Sequence, residues 1–247
     1  MARRSREVGT LKLGILSAAL VVGVALPAYA DDKKLTLTGS AVITTDYMFR
    51  SVSQTSQEPA VQPEFDLTYG MWYAYIWGSN VDFANSIEID YGIGITPKWG
   101  PVTFNIAGLE YTYPGATSEL DYFELKTGAT WASGPWSVGV VNYWSPDNFN
   151  TFGNSDAIEG TVGYTFSRKL FNFFSPSISG TFGHQSYDEV ASDYNYWNAG
   201  LTLGFLDHWS ADIRYYDTDY NDTQCFIQSG GPHNCDARAV GTIKATF

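Results

Sequence analysis

Beyond residue 30 no run of apolar residues approaches the roughly eighteen that a membrane-spanning helix needs. Yet apolar and polar residues alternate one by one along most of the chain. That period of two is the period of a β-strand, whose successive side chains point to opposite faces. "SIEIDYGIGIT" sets Ile87, Ile89, Tyr91, Ile93 and Ile95 against Glu88, Asp90, Gly92, Gly94 and Thr96. The last residues, "CDARAVGTIKATF", set Ala237, Ala239, Gly241, Ile243, Ala245 and Phe247 against Arg238, Thr242, Lys244 and Thr246. Helical spacing fits neither. The pattern predicts about twelve strands, at 35–50, 60–69, 71–81, 86–96, 101–113, 121–133, 135–145, 156–167, 175–185, 195–206, 208–218 and 236–247. Around Leu109 and Glu110 the parity slips, which predicts a bulge.

Three further patterns separate a barrel in lipid from a soluble sandwich. First, short connections (Gly70, 97–101, 132–135, 206–209, with 167–176 as a longer exception) alternate with long ones, as they do in outer-membrane barrels. The long loops carry acids such as Glu58, Asp82, Glu119, Asp147, Asp188 and Asp222 and are read as free of Lys and Arg. Second, the tryptophans sort to strand ends: Trp72, Trp99, Trp131, Trp136 and Trp209 near short turns, Trp77, Trp144 and Trp197 near long loops. Amphipathic rings collect at membrane–water boundaries in this way. Third, Glu64, Asp66, Glu88, Asp90, Glu124, Lys126, Glu159, Asp212, Arg214, Arg238 and Lys244 all fall on the polar parity. A dry core cannot take isolated charges, whereas a wet or salt-bridged lumen can. The other face of every strand is apolar, and little sequence is left to cover it. The expected fold is an all-β, transmembrane, antiparallel up-and-down barrel, with those eleven residues lining its lumen.

The first thirty residues read as a cleaved signal peptide: Arg3, Arg4, Arg6 and Lys12, a short apolar run from Leu13 to Leu26, then small residues at Ala28 and Ala30. The domains are therefore 1–30, the leader, and 31–247, the barrel. Of 14 basic and 26 acidic residues, the leader holds four and one, leaving a net charge of −15 on the mature chain. Such a chain has no basic patch for nucleic acid. Export places Cys225 and Cys235 in an oxidising compartment, where a disulfide is expected.

The stretch "TTDYMFRSVSQ", the following "WGSNVDF" and the acidic strand "IEIDYGIGI" resemble the TorF porin family. That family opens with a T-D-Y-x-F-R-G-x-S-Q segment, then W-x-S-N-V-D-F. Thr45, Asp46, Tyr47, Phe49, Arg50, Ser53 and Gln54 match, as do Trp77, Ser79, Asn80, Val81, Asp82 and Phe83; Ser51 stands where the family has glycine. The resemblance implies a small outer-membrane barrel of a Gram-negative bacterium and supplies no substrate.

Catalysis finds little support. His184, His208 and His233 are the candidate bases, and no nucleophile motif surrounds any serine. "DTDYND" (217–222) begins like a calcium loop but lacks its glycine and its closing Glu, so a solvated acidic loop is expected, without metal or cofactor. The expected function is a porin-like channel for passive diffusion of small hydrophilic solutes, favouring cations. The alternative is a non-conducting structural or adhesion barrel whose acidic loops carry the function. Expected partners are outer-membrane lipid and lipopolysaccharide, and the barrel-assembly machinery, for which the terminal Phe247 would be the signal. Glycines on the inner parity are expected to leave space in the lumen.

Overall fold

Alternation becomes geometry strand by strand. The computed structural model describes residues 34–83, 87–116 and 118–247; the leader expected over 1–30 lies outside them. Twelve long strands follow in chain order: β1 Leu35–Thr44, β2 Ala60–Tyr69, β3 Trp72–Asn80, β4 Ile87–Ile95, β5 Val102–Thr112, β6 Tyr122–Ser133, β7 Trp136–Ser145, β8 Ser155–Thr165, β9 Ser175–Tyr187, β10 Tyr194–Phe205, β11 Trp209–Thr218 and β12 Arg238–Thr246. Each pairs antiparallel with the next, and β12 pairs with β1, Ser40 opposite Thr246 and Thr44 opposite Thr242. The sheet is closed, so no edge strand is left with unpaired backbone groups.

One parity faces outward and is apolar: Leu35, Leu37, Ile93, Val138, Val140, Ile158, Ile213 and Ile243 are all exposed. The other faces a lumen. No helix among the described residues is long and apolar enough to cross a membrane. The connections at 70–71, 96–101, 134–135, 166–174 and 206–208 gather at one end. Those at 45–59, 113–116 with 118–121, 146–154, 188–193 and 219–237 gather at the other. Gly70, Gly100 and Gly134 take positive φ (59°, 56° and 57°) in the tight turns, which glycine adopts without the Cβ clash other residues incur. Trp72, Trp99, Trp131, Trp136 and Trp209 project outward at the short-turn end, and Trp144 and Trp197 outward near the other.

The structure corrects the sequence reading at four places. β1 ends at Thr44, well before residue 50, because the chain then turns into the lumen. There Met48–Phe49 pairs with Val52–Ser53 about Arg50 and Ser51, both at positive φ (48° and 62°), a two-residue hairpin turn. The positive φ of Ser51 explains why the resembled family has glycine there. Arg50 thus belongs to a long loop, so those loops are not free of basic residues. No bulge interrupts β5, whose register with β6 runs unbroken from Val102 to Tyr111. Leu109 and Tyr111 point inward and Glu110 outward, because aromatic rings are packed there around the buried Asp90 and Glu124. Trp77 is buried inside the barrel at 4% exposure instead of standing in an outer girdle. The 219–235 loop, whose conformation the sequence leaves open, contains a helix, α1 Asp222–Ser229, capped by Asn221, whose side chain accepts from the Thr223 and Gln224 amides while the Gln224 side chain accepts from the Asn221 amide. Cys225, within that helix, and Cys235 form the expected disulfide.

Phe247 lies outward past the end of β12. Its backbone exchanges hydrogen bonds with Gly39 at 2.8 and 2.9 Å. Its ring covers Gly39, where a Cβ would come within 2.5 Å of it, and meets Phe65 edge-on at 6.5 Å.

Candidate functional site

The lumen is not uniform along its axis. In the short-turn half of β6, β7 and β8 the inward residues are small and half-buried: Ser137, Gly139 and Val141 on β7, Thr161 and Gly163 on β8, Gly128 and Thr130 on β6. Solvent reaches them. In the long-loop half the inward residues become fully buried; on β6, β7 and β8 the change falls near mid-strand, while on β3, β9 and β10 burial already reaches Tyr73, Ser177 and Thr202 nearer the short turns. Glu124 is 0% exposed, Gln185 0%, Glu159 1% and Tyr196 1%. A lining that a water-sized sphere cannot touch has no open path beside it, so the barrel is a vestibule closed at one level.

The closure is the inward hairpin. Asp46 anchors its root: Oδ1 accepts from the Ser53 and Thr55 hydroxyls at 2.6 and 3.0 Å, and Oδ2 pairs with Arg238 Nη1 of β12 at 2.9 Å. The Ser53 amide donates to the Asn234 carbonyl at 2.8 Å, tying the hairpin to the disulfide loop. Arg50 forms its tip and crosses the lumen. Nη2 donates to both Glu124 oxygens of β6 at 2.8 Å, and Nη1 to Gln185 Oε1 of β9 at 2.8 Å. The guanidinium also lies over the rings of Phe49 and Tyr143, 4.6 and 4.9 Å from their centroids. Because β6 and β9 lie across the barrel from β1 and β2, this one side chain bridges opposite walls. Charge-assisted and stacked contacts of this kind suit arginine's planar group.

Tyrosines complete the layer. Tyr111 donates to Glu124 Oε2 at 3.0 Å, Tyr113 to Glu88 Oε1 at 2.9 Å, Tyr196 to Glu159 Oε1 at 2.8 Å, and Tyr194 to the Arg50 carbonyl at 3.3 Å. Tyr47 packs against Trp77 at 5.4 Å between ring centroids. Burial, and after it the charges of Glu88 and Asp90, push the Tyr47 hydroxyl well above its ordinary range. Two of the inner glycines serve these rings instead of leaving space. A Cβ on Gly92 would meet the Tyr75 ring at 2.0 Å, and one on Gly183 the Tyr196 ring at 2.2 Å.

All eleven charged residues expected on the polar parity project inward. Glu124, Lys126 and Glu159 gather at the closed level, with Lys126 Nζ 5.4 Å from the Tyr143 centroid. Arg214 pairs with Asp212 at 3.3 Å and donates to Asn198 Oδ1 at 2.8 Å. Arg238 is taken by Asp46. Glu64, Asp66 and Lys244 lie nearer the short turns, Asp66 accepting from Thr38 at 3.5 Å. Sequence reasoning missed Arg50, Asp46, Gln185 and the tyrosines; the signal was the "TDYMFRS" stretch, with buried-type residues in a loop. His184 faces outward, beside Asn195 Oδ1 at 3.0 Å, away from the lumenal acids. Outside the barrel, exposed Asp222, His233 and Asp236 bring ligand atoms within 4.8 Å of one another, with His233 already bonded to Asp236 at 3.1 Å.

Comparison with known proteins agrees with this geometry. The KdgM porin superposes with a TM-score of 0.58 at 8% identity, over 85% of this chain and 99% of that one. KdgM in complex with disordered oligogalacturonate gives the same score over 86% and 99%. The NanC porin gives 0.51 at 11% identity, over 86% and 99%. At such identities the likeness is one of fold. No curated protein sequence matches the chain. The family model that matches is described as a bacterial protein of unknown function (Gcw_chp), so the TorF name read from residues 45–83 is not the one shown. That match runs over residues 29–247, and the chain belongs to the Gcw_chp family, with a porin-like barrel as its fold.

Proposed function

We propose that the protein is a channel of a Gram-negative outer membrane, passing small hydrophilic solutes and favouring cations, with the 45–59 hairpin as its closed gate. The observation that carries this reading is an acid-rich lumenal face inside an apolar exterior. Glu64, Asp66, Glu88, Asp90, Glu124, Glu159 and Asp212 outnumber Lys126, Arg214, Arg238 and Lys244 on the inner parity. A narrow low-dielectric tube concentrates ions of the opposite sign. The TorF resemblance at 45–54 and 77–83 supports the porin part. A neighbour captured with an acidic oligosaccharide shares the barrel, but this wall would repel such a solute. Lipid contacts the outer parity and lipopolysaccharide the loop end, and Phe247 serves the assembly machinery.

Planar-bilayer recordings in a salt gradient test the reading. The dilute side should turn positive, and Glu88→Gln with Asp90→Asn should reduce that potential more than neutralising Asp188 and Glu189 in the loops. An anion-selective potential contradicts it. The sealed layer at Arg50 and Glu124 favours a second reading, a non-conducting barrel acting through its acidic loops. Complete absence of conductance steps, in the wild type and in a variant lacking the hairpin, would select that one.

A further inference from the structure

Asp90 stands apart from the other acids of the closed level. Glu124 holds Arg50, Glu88 accepts from Tyr113, and Glu159 accepts from Tyr196. Asp90 is 1% exposed, and neither of its carboxylate oxygens has a hydrogen-bond partner among the described residues. A buried carboxylate with neither donor nor counter-ion is unfavourable, and a cation placed beside it would relieve that.

The strand register fixes what surrounds it. Trp77 of β3 stands directly opposite on one side and Tyr111 of β5 on the other. Tyr75 is two residues along β3 from Trp77, its ring filling the space over Gly92. From above, Tyr47 of the hairpin packs on Trp77. A hard metal ion asks for a shell of six or more oxygens, and the two Asp90 oxygens with Glu88 Oε2 and the Tyr47 hydroxyl, also unpartnered among the described residues, fall short of it. An ammonium ion with carbon substituents asks for what is here, a carboxylate for its charge and π faces for its alkyl groups.

We propose that Asp90, Trp77, Tyr111 and Tyr75 form a binding site for an organic ammonium ion, with Tyr47 as its cover. The proposal rests on the cation-channel reading and gives it a substrate class. With the hairpin in place the carboxylate is sealed, so the ion enters when Tyr47 lifts from Trp77. Occupancy and closure then exclude each other, and a ligand that binds only the uncovered state draws the hairpin population toward it.

Choline is a suitable probe. The full protein, refolded in detergent and checked for the heat-modifiable gel mobility of a closed barrel, is titrated with choline chloride against sodium chloride of equal ionic strength. Calorimetry and tryptophan fluorescence give the readouts. Saturable choline binding is expected, weakened about tenfold or more in Asp90→Asn and in Trp77→Leu. It should be kept in Trp77→Phe and unchanged in Asp188→Asn. Binding that Asp90→Asn leaves intact overturns the proposal, as does saturable binding of calcium but not of choline. Cation-selective conductance without choline binding overturns this site and leaves the channel reading standing. Choline binding lost in Asp90→Asn, in a protein that never conducts, upholds the site and overturns the channel.

Discussion

Replacing Arg50 by alanine is expected to convert rare conductance steps into a persistently open pore. Arg50 is the only described side chain of the hairpin that pairs with Glu124, and it also holds Gln185, so one substitution removes the attachment to both β6 and β9. It also strands Glu124, at 0% exposure, with Tyr111 as its remaining hydrogen-bond donor. Breaking one side of a buried ion pair costs about 3–5 kcal/mol. That cost falls on the closed state, where Glu124 is dry, and less on an open state in which water reaches it. Since about 1.4 kcal/mol is a tenfold change, the closed-to-open ratio should drop by about a hundredfold or more. The root of the hairpin keeps Asp46–Arg238 and the Ser53–Asn234 bond, so the barrel itself should stay folded. A paired replacement, Arg50→Met with Glu124→Met, removes both charges and should restore closure. Single-channel recording reads all three. Equal open probability in wild type and Arg50→Ala would show that the hairpin does not gate.

The second large effect concerns the outer face. Ile213 lies near the middle of β11, 60% exposed and pointing away from the lumen. In lipid, Ile213→Lys should cost about 2–4 kcal/mol, the depth-dependent penalty for a cation at the midplane of a barrel wall. Thr161→Lys, on the half-buried vestibule wall, should cost close to nothing because its ammonium reaches water. Urea titration of protein folded into phosphatidylcholine vesicles, followed by tryptophan fluorescence, measures both. A soluble sandwich would behave differently, since lysine on its solvated face is nearly neutral. Similar stability for the two variants would argue against lipid on the outer parity.

The wall was legible in the sequence because each strand states its own face. Period-two alternation needs no partner to be read, and closure follows once every strand is apolar on one side with nothing to cover it. The inward position of Glu88, Asp90 and Glu124 could be read for the same reason. What filled the lumen was not legible. Nothing in the spacing of Tyr47, Arg50 and Ser53 says that their loop folds inward, because that depends on partners more than seventy residues away in β6 and β9. Trp77 misled for a related reason: a tryptophan near a strand end suits an interface, and its inward ring partner, Tyr47, is brought by the hairpin. Gly92 and Gly183 read as spare room and proved to be seats for tyrosine rings, since a missing Cβ is silent about what takes its place. Leu109 looked like a register fault because the lumen was assumed polar at every level. The helix at Asp222–Ser229 was hidden by its brevity, although Asn221 and Gln224 carry a capping signature.

Everything rests on one parity of each strand meeting lipid and the other an enclosed lumen. Site-directed spin labelling of β12 tests this most directly. Single cysteines at 239 to 245, with the native disulfide intact, are labelled after folding into vesicles, and collisions with oxygen and with a water-soluble nickel complex are compared. Oxygen should prevail at 239, 241, 243 and 245, while 240, 242 and 244 stay shielded from lipid, in a strict period of two. Nickel access at all seven positions would contradict the barrel, and with it the gate and the cation site.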